Sequence, residues 1–390
     1  MLAIARAAAP RRSSAIFSSF FFHNTQWLDR KLLNDPNVSL PPDAYKKVEA
    51  LTPKRLPKVY LELSKSRLTV LNVLTAMSGV ALSPLQTTVP ILLSTAVGTA
   101  LCSASANALN QLQEVPFDAQ MARTRNRPLC RRAISPSHAT GFAIITGIAG
   151  PALLWTVVNP ATAVLGAANV ALYAGAYTWM KRRSIWNTWL GAVVGAVPPL
   201  MGWTACGGKL WPSVDYPVQP FLPDFMSSGL PALDLSLIDN PLAPLALFML
   251  LFSWQFPHFN SLSYVVRGSY AQAGYRMLSV LDPAKNALVS LRHAALLIPI
   301  CSVLTPLSGL TTWAFALTSL PPNLICLRAA WKWWKYGGEK RARKVFQHSL
   351  WYLPVVMALM MFHKQGMDWS KWLGLSSEEE EKREAKPVEA

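Results

Sequence analysis

Three oxygen-bearing side chains, Asn110, Glu114 and Asp118, recur at four-residue intervals, and arginines follow at Arg123, Arg125 and Arg127. On a continuous helix each four-residue step turns about 40° beyond a full turn, so all three would share one face. Mg²⁺ takes a few carboxylate or amide oxygens and completes its shell with substrate phosphate. Arginine forks take the remaining phosphate oxygens. The pattern therefore suits a magnesium-bound diphosphate. A plainer reading is a solvated, self-neutralising patch of acids and arginines at a helix end. Pro116 bears on both, because it removes a helical hydrogen bond and disfavours α geometry at Val115. A break there would leave Asp118 on a separate turn.

Two further clusters carry polar groups at comparable places. Tyr173, Tyr177, Thr178, Lys181, Arg182 and Arg183 close one apolar run, and Asn187, Gly191, Gly195 and Pro198-Pro199 follow. Lys181 and Arg182 read either as phosphate ligands or as charges flanking a membrane span. The Gly191/Gly195 spacing is that of close helix packing. The third cluster is Trp254-Gln255-Phe256-Pro257-His258-Phe259, running on to Arg267, Tyr270, Tyr275 and Arg276. An ionisable His258 and a polar Gln255 inside an apolar segment are costly and point to a site. The alternative for His258 is a hydrogen bond to a carbonyl freed by Pro257.

The elements that position these clusters are membrane helices. The chain has 390 residues, of which 52% are hydrophobic and only 15% charged, and its mean hydropathy is +0.24. Nine apolar segments approach the length that crosses hydrocarbon, near 67–87, 91–113, 138–157, 160–180, 186–205, 242–264, 287–306, 309–331 and 346–363. The connections after the first, third, fifth and seventh carry almost no Lys or Arg, and the others carry nearly all of them. Adding or removing one span would mix the two classes, so the positive-inside bias supports nine spans with the N-terminus on the basic face. The formal charge of +17 is explained by this sorting, and no nucleic-acid partner is expected. The five cysteines form no C-x-x-C pair, which signals neither a zinc site nor a disulfide framework.

Residues 1–28 are basic, Ser-rich and free of acids, the composition of a mitochondrial transit peptide. Residues 29–66 are polar and Pro-rich and read as a mostly irregular arm on the matrix side. Residues 67–365 form the intramembrane unit, and 366–390 a disordered tail with an acidic excess. The 206–241 connection reads as a cap on the face opposite the basic one.

Taken together, Asn110-x3-Glu114-x3-Asp118-x2-Met121-x-Arg123-Thr124-x2-Arg127-Pro128 resembles the first acidic motif of the intramembrane UbiA-type prenyltransferases. The Tyr177–Trp203 stretch and Trp254–Phe259 are similar to those of the protoheme IX farnesyltransferases, the haem O synthase group of that superfamily. The resemblance covers residues 60–365. It implies an all-α membrane fold of nine transmembrane helices around a central cavity, with Mg²⁺, farnesyl diphosphate and haem B (protoheme IX). It assigns Asn110, Glu114 and Asp118 to the metal, and Arg123, Arg127, Lys181 and Arg182 to the phosphates. Tyr177, Gln255, His258, Arg267 and Tyr270 fall to substrate binding, with His258 as a haem ligand, a base or a pocket wall. It further implies a place in the mitochondrial inner membrane lipid bilayer, and haem A synthase and cytochrome c oxidase assembly factors as partners. Two positions depart from the pattern. Glu114 stands where many superfamily members have Asp. Arg267-Gly268-Ser269-Tyr270 stands where related chains carry an acidic Arg-x-Asp-Tyr, which leaves one or two ions open. The rivals are a 4-hydroxybenzoate polyprenyltransferase and a transporter of anions.

Overall fold

The computed structural model describes residues 51–214, 216–223, 226 and 240–367. The expected transit peptide, most of the N-terminal arm, part of the 206–241 connection and nearly all of the acidic tail lie outside the described residues. Every regular element among the described residues is helical. A short helix α1 (Leu56–Leu63) precedes α2 (Ser66–Leu82) and the long α3 (Val89–Asp118). Then come α4 (Pro136–Leu153), α5 (Pro160–Ala171), α6 (Asn187–Ala205) and α7 (Leu242–Val265). Two short helices, α8 (Arg267–Gln272) and α9 (Leu278–Leu281), lead into α10 (Pro283–Pro299). After α11 (Ala314–Thr318), α12 (Leu320–Tyr336) and α13 (Glu339–Phe362) complete the bundle. Wider π turns prolong α4 through Val158, α5 through Tyr177 and α10 through Leu304.

Helical rods thus stand at each of the nine apolar segments. Five of them, Val89–Asp118, Pro136–Val158, Leu242–Val265, Pro283–Leu307 and Glu339–Phe362, are long and apolar enough by length and composition to cross a membrane. Large apolar side chains face outward on these rods and on α2, among them Leu71, Leu74, Ile145 and Ile148, each more than half exposed. Such a belt is what hydrocarbon, not water, covers.

In the described part of the arm, α1 docks Val59 and Leu63 onto Ala108, Val115, Leu129 and Ile134. Two span boundaries are corrected. The eighth rod starts at Leu320 rather than 309, with Pro321 and Pro322 in its first turn, where their missing N–H groups cost no helical bond. The ninth begins at Glu339, so Arg341, Arg343 and Lys344 belong to its first turns.

Rods pack in a ring. Helix α3 lies against α4 and α2, α2 against α6, α6 against α7, and α7 against α10 and α13, with α12 closing against α10 and α13. Small residues let the backbones approach. An added Cβ on Gly202 of α6 would lie 1.9 Å from the Ala76 carbonyl oxygen of α2, so only glycine permits that crossing. The largest buried cluster, around Trp203, Leu247, Leu250, Leu297, Phe315 and Tyr352, joins α6, α7, α10, α11 and α13.

Candidate functional site

Helix α3 runs unbroken through Pro116 to Asp118. The proline therefore does not separate Asp118 from the other two donors. Asn110, Glu114 and Asp118 are 0%, 4% and 1% exposed, which rules out a solvated patch. All three line one cavity of about 50 Å³. Its other walls include Lys65, Arg123, Thr124, Arg127, Tyr177, Lys181, Phe259, Tyr270 and Tyr275. Eight helical residues rise about 12 Å, so the donors form a row along the wall rather than a cage around one point.

Each donor faces its own cation. Lys65 Nζ donates to Asn110 Oδ1 at 2.7 Å. Lys181 Nζ pairs with Glu114 Oε1 at 2.9 Å, and Arg127 pairs with Asp118 Oδ2. Arg123 reaches the Tyr270 hydroxyl at 3.3 Å and is exposed at the mouth. Four basic side chains, Lys65, Arg123, Arg127 and Lys181, face two carboxylates across the cavity. Burial is the largest single influence on Lys181 and disfavours its charge, but Glu114 together with Tyr177, Tyr173 and Tyr275 holds that ammonium well above the usual lysine range. Burial, then Arg127 and Lys181, push the Lys65 ammonium well below it.

Local chemistry explains why these groups meet. In the wider turn Leu172–Tyr177 the Ala174 carbonyl is taken by Gln113 Nε2 of α3 at 2.8 Å. Turns of this kind recur at functional sites. This one brings Tyr173, Tyr177 and Thr178 toward α3, and Thr178 Oγ1 accepts from Asn110 Nδ2 at 3.1 Å. Tyr177 then lies under Lys181, 4.6 Å from Nζ to the ring centre. Two loops close the roof. Arg276 N donates to the Lys181 carbonyl at 2.9 Å, and Asn187 Nδ2 donates to the Arg276 carbonyl at 3.2 Å. Beneath them Met121, Tyr270, Tyr275 and Met277 form a buried apolar patch.

Of the twelve residues singled out from the sequence, eight share the cavity: Asn110, Glu114, Asp118, Arg123, Arg127, Tyr177, Lys181 and Tyr270. Four stand outside its lining. Arg182 is exposed and stacks on Phe117 at 4.9 Å. Arg267 folds back on Tyr264, donating to its carbonyl. Gln255 donates to the Ala192 carbonyl of α6 at 2.9 Å, and an added Cβ on Gly195 would lie 2.1 Å from its Oε1. His258 turns toward α13, where Nδ1 lies 3.0 Å from Ser349 Oγ and the ring stacks on Trp254. Sequence reasoning gave Lys65 no role in the site, and it placed Thr178 and Tyr275 in the polar clusters without assigning either a function. In the sequence Lys65 is one of several basic residues ahead of the first apolar segment, and nothing local in the chain points Thr178 at Asn110.

The donor set fits Mg²⁺. Asp118 Oδ1 is buried without a hydrogen-bond partner, an acceptor that a bound cation satisfies. No group of three or more His, Cys, Asp or Glu side chains able to hold a metal occurs among the described residues. Two carboxylates and an amide are enough only where phosphate oxygens complete the shell.

The model of the UbiA prenyltransferase family matches residues 72–351. A Gibberella zeae protein named as a mitochondrial protoheme IX farnesyltransferase is 43% identical over 87% of this chain and 68% of its own length. The human protein of that name is 41% identical over 80% of this chain, which spans 63% of it. Among solved structures, one described as digeranylgeranylglyceryl phosphate synthase superposes with a TM-score of 0.61 at 16% identity, over 80% of this chain and 98% of that one. A UbiA homologue from Archaeoglobus fulgidus bound to DMAPP and Mg²⁺ gives 0.50 at 12% identity, over 77% of this chain and 98% of that one.

Proposed function

The chain belongs to the UbiA prenyltransferase family, and from that premise we propose that it transfers the farnesyl group of farnesyl diphosphate to the 2-vinyl group of haem B, giving haem O. The observation that carries this reading is the meeting of the Asn110–Glu114–Asp118 row with four cations in one buried cavity. All nine rods cross the mitochondrial inner membrane, with the basic loops on the matrix side, and the farnesyl tail lies between them.

The bond to be broken joins farnesyl C1 to a diphosphate oxygen. Its rupture gives a delocalised allylic cation and a highly charged leaving group, so stabilising the departing charge is the main task of the site. Neighbouring members of the Asn110, Glu114 and Asp118 row would hold Mg²⁺, which would supply Lewis-acid screening of the diphosphate. Arg127 and Lys181 turn from their carboxylates to phosphate oxygens, and Arg123 guides the anion in at the mouth. Entry displaces the roof around Tyr270 and Tyr275, because the cavity holds only a few waters' volume. The aromatic walls Phe259, Tyr177 and Tyr275 keep water from the cation.

The vinyl π electrons then form the new carbon–carbon bond to C1. Water captures the porphyrin-stabilised cation and loses a proton, leaving a hydroxyethylfarnesyl group. His258, with Nδ1 set against Ser349, would offer Nε2 to the iron of haem B.

The test is to incubate membranes with haem B, labelled farnesyl diphosphate and Mg²⁺ and to identify the porphyrin by mass. Haem O is expected, and excess chelator abolishes it. Label transferred to 4-hydroxybenzoate instead, or label taken up unchanged, overturns the proposal in favour of a quinone-type enzyme or a transporter.

A further inference from the structure

Lys65 breaks three local rules at once. Its backbone is left-handed, with φ 50°, and Arg132 is the other non-glycine with positive φ among the described residues. It stands at the N-cap of α2 and makes no side-chain capping bond, where the helix dipole disfavours a cation. It also shares a cavity wall with Arg127 and Lys181. Violations concentrated on one residue mark a functional position rather than a packing choice.

The turn that carries Lys65 is clamped by the same helix that carries the oxygen donors. Asn107 Nδ2 of α3 donates to the Ser64 carbonyl at 3.0 Å. Gln111 Nε2 donates to the Leu63 carbonyl at 2.7 Å and the Glu62 carbonyl at 3.2 Å. Thr69 Oγ1 closes on the Ser64 carbonyl at 2.9 Å. These bonds fix the turn so that Nζ arrives at Asn110 Oδ1. The Asn110 amide is itself oriented by its bond to Thr178. In the same position Lys65 Nζ also lies 3.4 Å from the Tyr173 hydroxyl.

We propose that Lys65 occupies the Asn110 oxygen while the site is unloaded and passes to a phosphate oxygen when Mg²⁺ and the diphosphate bind. This rests on the diphosphate reading above. An ion held by Asn110 Oδ1 would contend with the Lys65 ammonium for the same oxygen. The two repel, so one leaves. The clamped turn keeps the departing ammonium at the cavity, where an arriving phosphate oxygen offsets the charge that burial disfavours. The lysine thus opposes metal binding without substrate and supports diphosphate binding with it.

The experiment compares wild type with Lys65→Met as full-length protein in detergent. Mn²⁺ alone is titrated and read by electron paramagnetic resonance, and farnesyl diphosphate kinetics are measured separately. Removing the competitor should tighten Mn²⁺ binding about tenfold or more, and removing the phosphate donor should raise the farnesyl diphosphate KM by a similar factor, the worth of one charge-assisted hydrogen bond. Lys65→Arg should bring the KM back toward wild type. Opposite movement of the two quantities is the signature, since a merely structural lysine would weaken both. Unchanged or weaker Mn²⁺ binding in Lys65→Met overturns the proposal, as does an unchanged KM. Where Lys65→Met fails to fold, Lys65→Gln reads the same two quantities. If wild type makes no haem O, the assigned reaction fails, while the Mn²⁺ titration still reads the role of Lys65.

Discussion

Replacing Glu114 by Gln tests the metal row most directly, because this side chain has two roles that can be separated. Its carboxylate pairs with Lys181 at 2.9 Å, and the two side chains are only 5% and 12% exposed. Breaking a buried pair strands the remaining charge, at a cost of about 3–5 kcal/mol. Glu114→Gln should therefore lower the thermal midpoint of helix loss in detergent by several degrees. If Glu114 also holds the ion that screens the leaving group, turnover should fall independently. The loss of one well-placed electrostatic stabiliser is worth about 10²–10³ in rate, or about 2.7–4 kcal/mol. The double variant Glu114→Gln with Lys181→Met separates the effects. Removing both charges replaces a buried ion pair with neutral groups, which is often neutral for stability, so the midpoint should return toward wild type. Haem O formation, measured by mass at saturating farnesyl diphosphate, should stay lost. A double variant that regains both stability and turnover would show the pair to be structural only and would refute the metal assignment. The membrane fraction must contain comparable protein in each case.

Arg123→Ala should raise the farnesyl diphosphate KM about tenfold while altering kcat less, since the guanidinium is at the exposed mouth; an unchanged KM counts against its role. Gly202→Ala should destabilise the bundle by about 1–3 kcal/mol, read as a lower midpoint, because the new Cβ meets α2 backbone at Ala76 and Val80. A wild-type midpoint would mean that α2 and α6 are not packed as described. His258→Ala should change the visible spectrum of bound haem B while leaving Mn²⁺ binding unchanged; a wild-type haem spectrum removes the axial-ligand assignment.

Much of the molecule was legible in the chain. Apolar segments of near-spanning length located the helical rods, and the sorting of Lys and Arg between alternate connections supported their order, because these residues are costly to translocate and collect on one face. The row of Asn110, Glu114 and Asp118 was visible as a four-residue repeat, since helical geometry converts spacing directly into a shared face. The fate of Pro116 was not legible. Local preference allowed a break, and the packing of Val115 against Leu129 and Ile134 accompanies an unbroken helix. Nor could the sequence show that Lys65, 45 residues from Asn110, donates to it, or that His258 turns away from the carboxylates while Phe259 beside it lines their cavity. Periodicity fixes which side chains share a face of one helix. Which face of a neighbour they meet depends on how the rods rotate against each other, and small-residue contacts such as Gly202 against Ala76 exist only once the bundle has formed.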